Sequence, residues 1–303
     1  MELKIQKKIA VLLATYNGVK YLKEQVDSIL NQKEVDVIIF ISDDLSTDKT
    51  IEYLQEIYKG LENIVYLPSG SKFGGAGKNF FRLIRDIDFS SFDFISFVDQ
   101  DDIWYEDKLI RAIKTIEDKQ LDAYSSNVLA FWENGKEMII NKSSSQTRYD
   151  YLFEASGPGC TYVLKKDLAI SLQKFICDNW EDVNKIELHD WFIYAFSREN
   201  NYNWYIDEKP SMRYRQHSSN QVGANDGLKA KLKRLKKVFS SWYREEIIKI
   251  IKILRLENKY KFPKYILNKS YLNNLLLLKY SFEFRRNKKE KIYLLILFVL
   301  GIF

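Results

Sequence analysis

The stretch Phe94-Ile95-Ser96-Phe97-Val98-Asp99-Gln100-Asp101-Asp102-Ile103-Trp104 decides the fold. Its first five residues form an almost continuous apolar run, as in a parallel-sheet strand buried on both faces. The run gives out on three carboxylates within four residues. Carboxylates this close repel one another unless a cation or a set of donors holds them, and hard oxygen ligands favour magnesium or manganese. The alternative is an exposed acidic turn capping a helix that starts near Tyr105.

Residues 9–14 and 35–41 are apolar runs of the same kind, and residues 64–67 are a weaker one. Between them lie helical spacings: Tyr21, Leu22, Val26, Ile29 and Leu30; then Ile51, Leu54 and Ile57; then Phe80, Phe81, Leu83, Ile84 and Ile87. Strand and helix alternate, which predicts an α/β fold with a mostly parallel central sheet flanked by helices. Such sheets bind ligands beyond the carboxyl ends of their strands. Those ends are polar here: Ala14-Thr15-Tyr16-Asn17, then Ser42-Asp43-Asp44 with Ser46 and Asp48, then Asp99-Gln100-Asp101-Asp102.

The chain's 303 residues, 46% of them hydrophobic, suffice for a large core. Its net charge of +6 is uneven. Residues 229–291 hold 20 Lys and Arg against 5 Asp and Glu, a local +15 that leaves −9 for the rest. A basic tail on a mildly acidic body predicts that the tail meets an anionic surface, lipid or nucleic acid. Leu228, Leu232 and Leu235, then Ile247, Ile251 and Leu254, give it amphipathic helical spacing, which Pro263 interrupts. Residues 292–303 form an apolar run of 12, preceded by Arg285, Arg286, Lys288, Lys289 and Lys291; a membrane crossing needs about 20, so this run reads as interfacial. Packing of the tail on the rest of the protein or on another subunit is the alternative. Cys160 and Cys177 lack metal-type spacing and imply no disulfide framework, and the basic start followed by residues 9–14 reads as a first strand, so the default expectation is the reducing cytosol.

The motifs at residues 14–17, 43–48 and 99–104 resemble, in order and spacing, those of glycosyltransferase family 2, whose fold is called GT-A. The resemblance covers residues 9–222 and implies a GT-A catalytic domain over 1–225, with a basic, membrane-associating helical extension over 226–303. It implies that Ala14, Thr15, Tyr16, Asn17, Asp43, Asp44, Asp99 and Gln100 bind the nucleotide. Thr15 and Tyr16 would wall the base, Asp44 or Asp43 would accept from a pyrimidine ring N–H, and Asp99 would lie near the ribose. A carboxylate facing that N–H selects uracil or thymine over cytosine, which lacks the donor. Lys78, after the glycine-rich residues 73–77, would sit over the donor phosphates.

The same resemblance makes Asp101 a ligand of Mn2+ or Mg2+, with His217, in Arg215-Gln216-His217-Ser218-Ser219-Asn220, completing the metal and diphosphate site. Leu188-His189-Asp190-Trp191 resembles the segment carrying the catalytic base, here Asp190. Asp102, Trp104, Gly157, Gly159, His189 and Trp191 would line the donor sugar and acceptor. Read without the family, a capping Asp190, a surface His189 and a loop His217 remain open. Asp-Gln-Asp-Asp-Ile-Trp and Tyr-Arg-Gln-His (residues 214–217) look closest to bacterial rhamnosyltransferases. That implies a dTDP-L-rhamnose donor, with UDP-hexoses as competitors, and a polyprenyl-linked glycan acceptor at the cytoplasmic face of the membrane. A nucleic-acid-binding protein using the basic tail is the reading from another class; it leaves the aligned acidic strand ends unexplained.

Overall fold

A computed structural model describes residues 6–70, 72–217 and 241–303. Strands β1 (Lys7–Thr15), β2 (Val35–Asp43), β3 (Ile64–Tyr66) and β4 (Phe94–Val98) alternate with helices α1 (Val19–Leu30), α2 (Thr50–Ile57) and α3 (Ala76–Asp86). The short β5 (Ile103–Trp104) leads to α4 (Lys108–Asp118), β6 (Ala123–Ser126), β7 (Val128–Trp132) and β8 (Glu137–Ile140). Then follow β9 (Val163–Lys165), α5 (Lys166–Asp178), α6 (Trp180–Val183), α7 (His189–Glu199), β10 (Trp204–Asp207) and β11 (Met212–Gln216).

Seven strands form the central sheet in the order β10-β6-β9-β4-β1-β2-β3. β4, β1, β2 and β3 are mutually parallel, and β9 is inserted antiparallel between β4 and β6. The alternation of β1 explains its place at the centre. Ala10, Leu12 and Ala14 join one core with α3, α5 and α7, while Ile9, Val11 and Leu13 join the other with α1 and α4. Both faces are covered, so the strand reads as an unbroken apolar run. Chain order turns back between β1 and β4, and such a switch point opens a crevice at the strand ends.

A second sheet, β5-β11-β7-β8, accompanies the first and was not among the strands expected from the sequence. Its antiparallel β5 and β11 pair Trp104 with Met212 and Ile103 with Arg213. Extending that register carries the acid loop before β5 towards the end of β11.

Helices Trp242–Ile253, Phe262–Leu267, Tyr271–Leu277 and Lys288–Val299 follow. Ile247, Ile250, Ile251, Phe262, Ile266, Phe284, Leu294, Phe298 and Phe303 are buried in the same core as Phe81, Phe153 and Trp191. One side of the apolar run at 292–303 is therefore core. The predicted boundary at 225/226, Ser218-Ser219-Asn220 and the Leu228, Leu232 and Leu235 repeat lie outside the described residues. Among those described, no helix is long and apolar enough to cross a membrane.

Candidate active site

The crevice is built from three strand ends. At β1, the Thr15 hydroxyl donates to Asp43 Oδ2 at 2.8 Å, and Asp43 also takes the Ser46 backbone N–H at 2.7 Å. Asn17, with a positive φ of 48°, donates its N–H to Ser46 Oγ and accepts from Thr47 N–H, both at 2.8 Å. Gln100 pairs its amide with the Tyr16 backbone, accepting from N–H at 2.8 Å and donating to O at 3.0 Å. The β1 and β4 ends are thereby fastened together, leaving the Tyr16 ring exposed above them with Lys72 Nζ 5.1 Å from its centre.

Asp44 is buried and accepts the Gly74 and Gly75 N–H groups at 2.9 and 3.1 Å, and also that of Phe73. The carboxylate so gathered folds the glycine-rich loop over the crevice. Asn79 on α3 donates to Ser42 O at 2.7 Å and holds that helix to the end of β2. Lys78 lies half-buried in the first turn of α3.

At β4 the acid loop meets β11. Asp102 is fully buried and accepts the Arg215 N–H at 3.0 Å, while Arg215 Nε donates to Asp101 O at 2.8 Å. These contacts continue the β5–β11 register and deliver His217 to Asp101, with His217 Nε2 2.6 Å from Asp101 Oδ2. Tyr21 stacks on the imidazole at 5.3 Å. A carboxylate oxygen and an imidazole nitrogen at the rim of a polar crevice are a donor pair suited to Mn2+ or Mg2+, so the residues fit a divalent cation. A second possible ligand group, Asp99, Asp102 and Cys160, lies beneath, its ligating atoms within 4.8 Å of one another. Asp102 and Cys160 are wholly buried, and the thiol is pushed well up by burial and by the two carboxylates.

Asp190 occupies the first turn of α7, where its Oδ1 accepts the Trp191 N–H at 2.7 Å. A Cβ on Gly159 would come within 3.1 Å of Asp190 Cβ and 2.6 Å of His189 Nε2, so the glycine permits the close approach of loop and helix. Burial lifts the Asp190 carboxyl to about 6. Burial, then the charges of Asp101 and Asp190, lifts Asp99 to about 7. Asp99 is therefore within electrostatic reach of both Asp101 and Asp190.

Four of the predicted sugar-lining side chains are placed differently. Trp104 is a core residue, 3% exposed, with Lys108 Nζ 3.7 Å over its ring, because β5 pairing turns it inward. Trp191 is likewise buried, donates Nε1–H to Tyr151 O at 2.9 Å and stacks on Tyr243. Asp102 anchors β11 and does not face the crevice. His189 stacks on Phe80 at 4.0 Å, and burial lowers it to about 3, so the ring is neutral, with Nε2 unpaired against Gly159. Gly159 does lie beside Asp190, and Gly157 is linked to it through the Tyr162 hydroxyl. Arg215, inside the predicted His217 motif, and Asn79, beside Lys78, support the site through their own hydrogen bonds, a role that motif spacing does not give; Tyr21, which stacks on His217, reads in the sequence only as one position of a helical face.

A crevice at the switch point of a parallel sheet, an Asp–His pair at its rim and the half-buried Asp190 beside Gly159 are the arrangement of a nucleotide-sugar-dependent glycosyltransferase of the GT-A kind. The chain belongs to glycosyl transferase family 2: the family model of that description matches residues 10–163. It is 50% identical over 292 residues to the dTDP-rhamnosyl transferase RfbG of Shigella flexneri, covering 96% of this chain and 100% of that one. It is 28% identical over 177 residues to the GalNAc(5)-diNAcBac-PP-undecaprenol beta-1,3-glucosyltransferase of Campylobacter jejuni, covering 56% and 47%. Among solved structures, S. aureus TarS 1–349 in complex with UDP-GlcNAc superposes with a TM-score of 0.58 at 17% identity, covering 97% and 81%. The mannosyltransferase of Pyrobaculum calidifontis in complex with GDP-Man and Mn2+ gives 0.53 at 12% identity, covering 99% and 86%. At these identities the structural likeness is one of fold.

Proposed function

We propose that the protein transfers L-rhamnose from dTDP-L-rhamnose, with inversion, to a polyprenyl-linked glycan in cell-surface polysaccharide synthesis. The observation that supports this reading is the Asp101–His217 contact, with Asp99 within electrostatic reach of both Asp101 and Asp190. The near full-length kinship with an enzyme named for dTDP-rhamnose supports the donor. UDP-hexoses are the competing donors.

Asp190 accepts the proton of the acceptor hydroxyl as the oxygen attacks the anomeric carbon. A carboxylate with its proton affinity raised by burial is a stronger base than an exposed one, yet still ionised at neutral pH. The bond from the anomeric carbon to the diphosphate oxygen breaks as the new C–O bond forms on the opposite face, and the configuration inverts. Thr15, Tyr16 and the loop gathered by Asp44 enclose the base, with the half-buried Asp43 carboxylate toward the ring N–H, because both Asp44 oxygens are taken up by the loop N–H groups. Asp101 and His217 would hold a Mn2+ or Mg2+ ion, which supplies charge neutralisation for the departing diphosphate.

The membrane face of the enzyme is its C-terminal region. Tyr271, Leu272 and Leu276 on one helix and Ile292, Tyr293, Ile296, Val299 and Leu300 on the next are exposed, and a Cβ on Gly301 would fall 2.8 Å from the Tyr271 ring, so the two surfaces adjoin. Exposed Lys269, Lys279, Lys288 and Lys289 border them. Apolar area ringed by lysines suits the interface of an anionic bilayer, where each basic residue adds about 1 kcal/mol.

The test is a donor screen with purified protein and a lipid-linked acceptor, with Mn2+ or Mg2+ and with chelator. Transfer from dTDP-L-rhamnose well above transfer from UDP-glucose, UDP-galactose and UDP-N-acetylglucosamine supports the proposal. Preference for a UDP-hexose overturns the donor assignment, and release of no sugar from any donor overturns the reaction.

A further inference from the structure

Residues 149–159 run along the C-terminal region and end on Gly159 beside Asp190. Arg286, its side chain 1% exposed, enters this loop from below. Its Nη1 donates to Asp150 Oδ2 at 2.9 Å and its Nη2 to Ala155 O at 2.6 Å. Glu154 accepts the Arg286 backbone N–H at 2.7 Å and faces the guanidinium at 3.0 Å. Asp150, fully buried, also accepts from Arg198 Nη1 at 3.1 Å and from the Tyr194 hydroxyl at 2.9 Å, both on α7. Two cations and two carboxylates thus join three segments: the C-terminal region, the loop and the helix whose first turn carries Asp190.

The network ends at the chemistry. The Tyr162 hydroxyl lies 3.1 Å from Gly157 O and 3.3 Å from Asp190 O, so the loop and the start of α7 share one donor. The helix Trp242–Ile253 holds the other side of that start: Glu246 accepts the Glu187 N–H at 3.2 Å, and Trp242 Nε1 donates to Glu187 Oε2 at 2.8 Å. No described hydrogen bond joins Arg286 to Thr15, Asp43, Asp44 or Gln100 on the nucleotide side.

We infer that Arg286 is a positioning residue for transfer: through Asp150 and Glu154 it sets residues 157–159 against Asp190, making the C-terminal region part of the active-site framework. A planar guanidinium can fork between two carboxylates and a carbonyl, which an ammonium cannot do. Its loss leaves Glu154 without its cation and Asp150 with Arg198 alone, and the loop must move to solvate them. Only the kinetic part of the test rests on Asp190 being the base.

The test compares the full chain with Arg286→Gln, Arg286→Lys and Glu154→Gln by hydrogen–deuterium exchange and by steady-state transfer. In Arg286→Gln, exchange accelerates over residues 153–161 and 187–193 and not over 9–17 and 41–46. The kcat for transfer falls about 100-fold while the donor KM stays within about twofold, and Arg286→Lys lies between. Unchanged exchange beside Asp190, or a lowered melting temperature with kcat intact, overturns the inference, because a merely structural residue gives that result. Should Arg286→Gln fail to fold, Glu154→Gln and Arg286→Lys carry the same readings. Should the wild type transfer no sugar, the functional reading fails while the exchange data still decide the role of Arg286.

Discussion

His217 Nε2 lies 2.6 Å from Asp101 Oδ2, although 116 positions separate them in the chain. The antiparallel register of β5 and β11 brings them together, and Arg215, clasped by Asp102 and by the Asp101 carbonyl, fixes that register. If the pair binds the cation at the diphosphate, Asp101→Ala and His217→Ala each lower transfer by about 100-fold or more, because charge on the leaving group is left unneutralised. Initial rates over a Mn2+ titration check this, with the apparent Mn2+ requirement rising in His217→Ala.

Asp190 gives a pH dependence of defined sign. Its carboxyl is lifted to about 6 by burial, and the base must be ionised, so kcat/KM rises with pH, bends near 6 and levels above it. The stability effect runs the opposite way. The folded value exceeds the unfolded value of about 3.9, so the neutral carboxyl favours the fold; this contribution is complete below about pH 4 and is lost as pH rises through the folded value. Asp190→Asn therefore raises the melting temperature at pH 7.5, by the equivalent of about 1–3 kcal/mol, and flattens the pH profile of stability between pH 4 and 7.

Asp44 holds the glycine-rich loop by accepting the Phe73, Gly74 and Gly75 N–H groups. Hydrogen bonds to a charged acceptor are worth about 1.5–3 kcal/mol each, so Asp44→Ala frees the loop. The donor KM rises at least about tenfold, and protease sensitivity appears at residues 72–75, read by limited digestion with and without dTDP.

Gly77 meets the segment before Asp190 with no room to spare, since a Cβ there would lie 2.1 Å from Glu187 O. Gly77→Ala pushes α3 from the start of α7 and costs about 1–3 kcal/mol of stability, measured by denaturant unfolding. Gly60→Ala, a control with positive φ and open surroundings, carries only the backbone strain.

The exposed apolar surface gives a binding prediction. Leu272→Ser with Leu276→Ser and Ile296→Ser abolishes sedimentation with vesicles containing anionic phospholipid, leaving transfer to a short soluble acceptor intact. Equal sedimentation of the triple variant contradicts the proposed membrane face.

Much of this was legible in the chain because buried parallel strands are apolar throughout and their polar ends stand out. Residues 94–104 show both the strand and its acidic end. The second sheet escaped notice because, although β7 is an apolar run, β5 has two residues and β11 alternates apolar with charged positions, so the partners of that run give no signal of their own. Motif spacing locates a residue but not the direction of its side chain, which is why Trp104, Trp191 and Asp102 read as sugar contacts when pairing and packing turn them inward. The tail read as a basic surface because its buried partners, Asp150 and Glu154 for Arg286, lie more than 130 positions away.

The most direct measurement is transfer by Asp190→Asn beside the wild type, with dTDP-L-rhamnose affinity determined on the same preparations. Asp190→Asn is predicted to bind the donor within about twofold of wild type and to lose about 10²–10⁴-fold in kcat for transfer. Transfer at the wild-type rate by the folded, donor-binding variant would contradict the assignment of Asp190 as the base on which the active site is built.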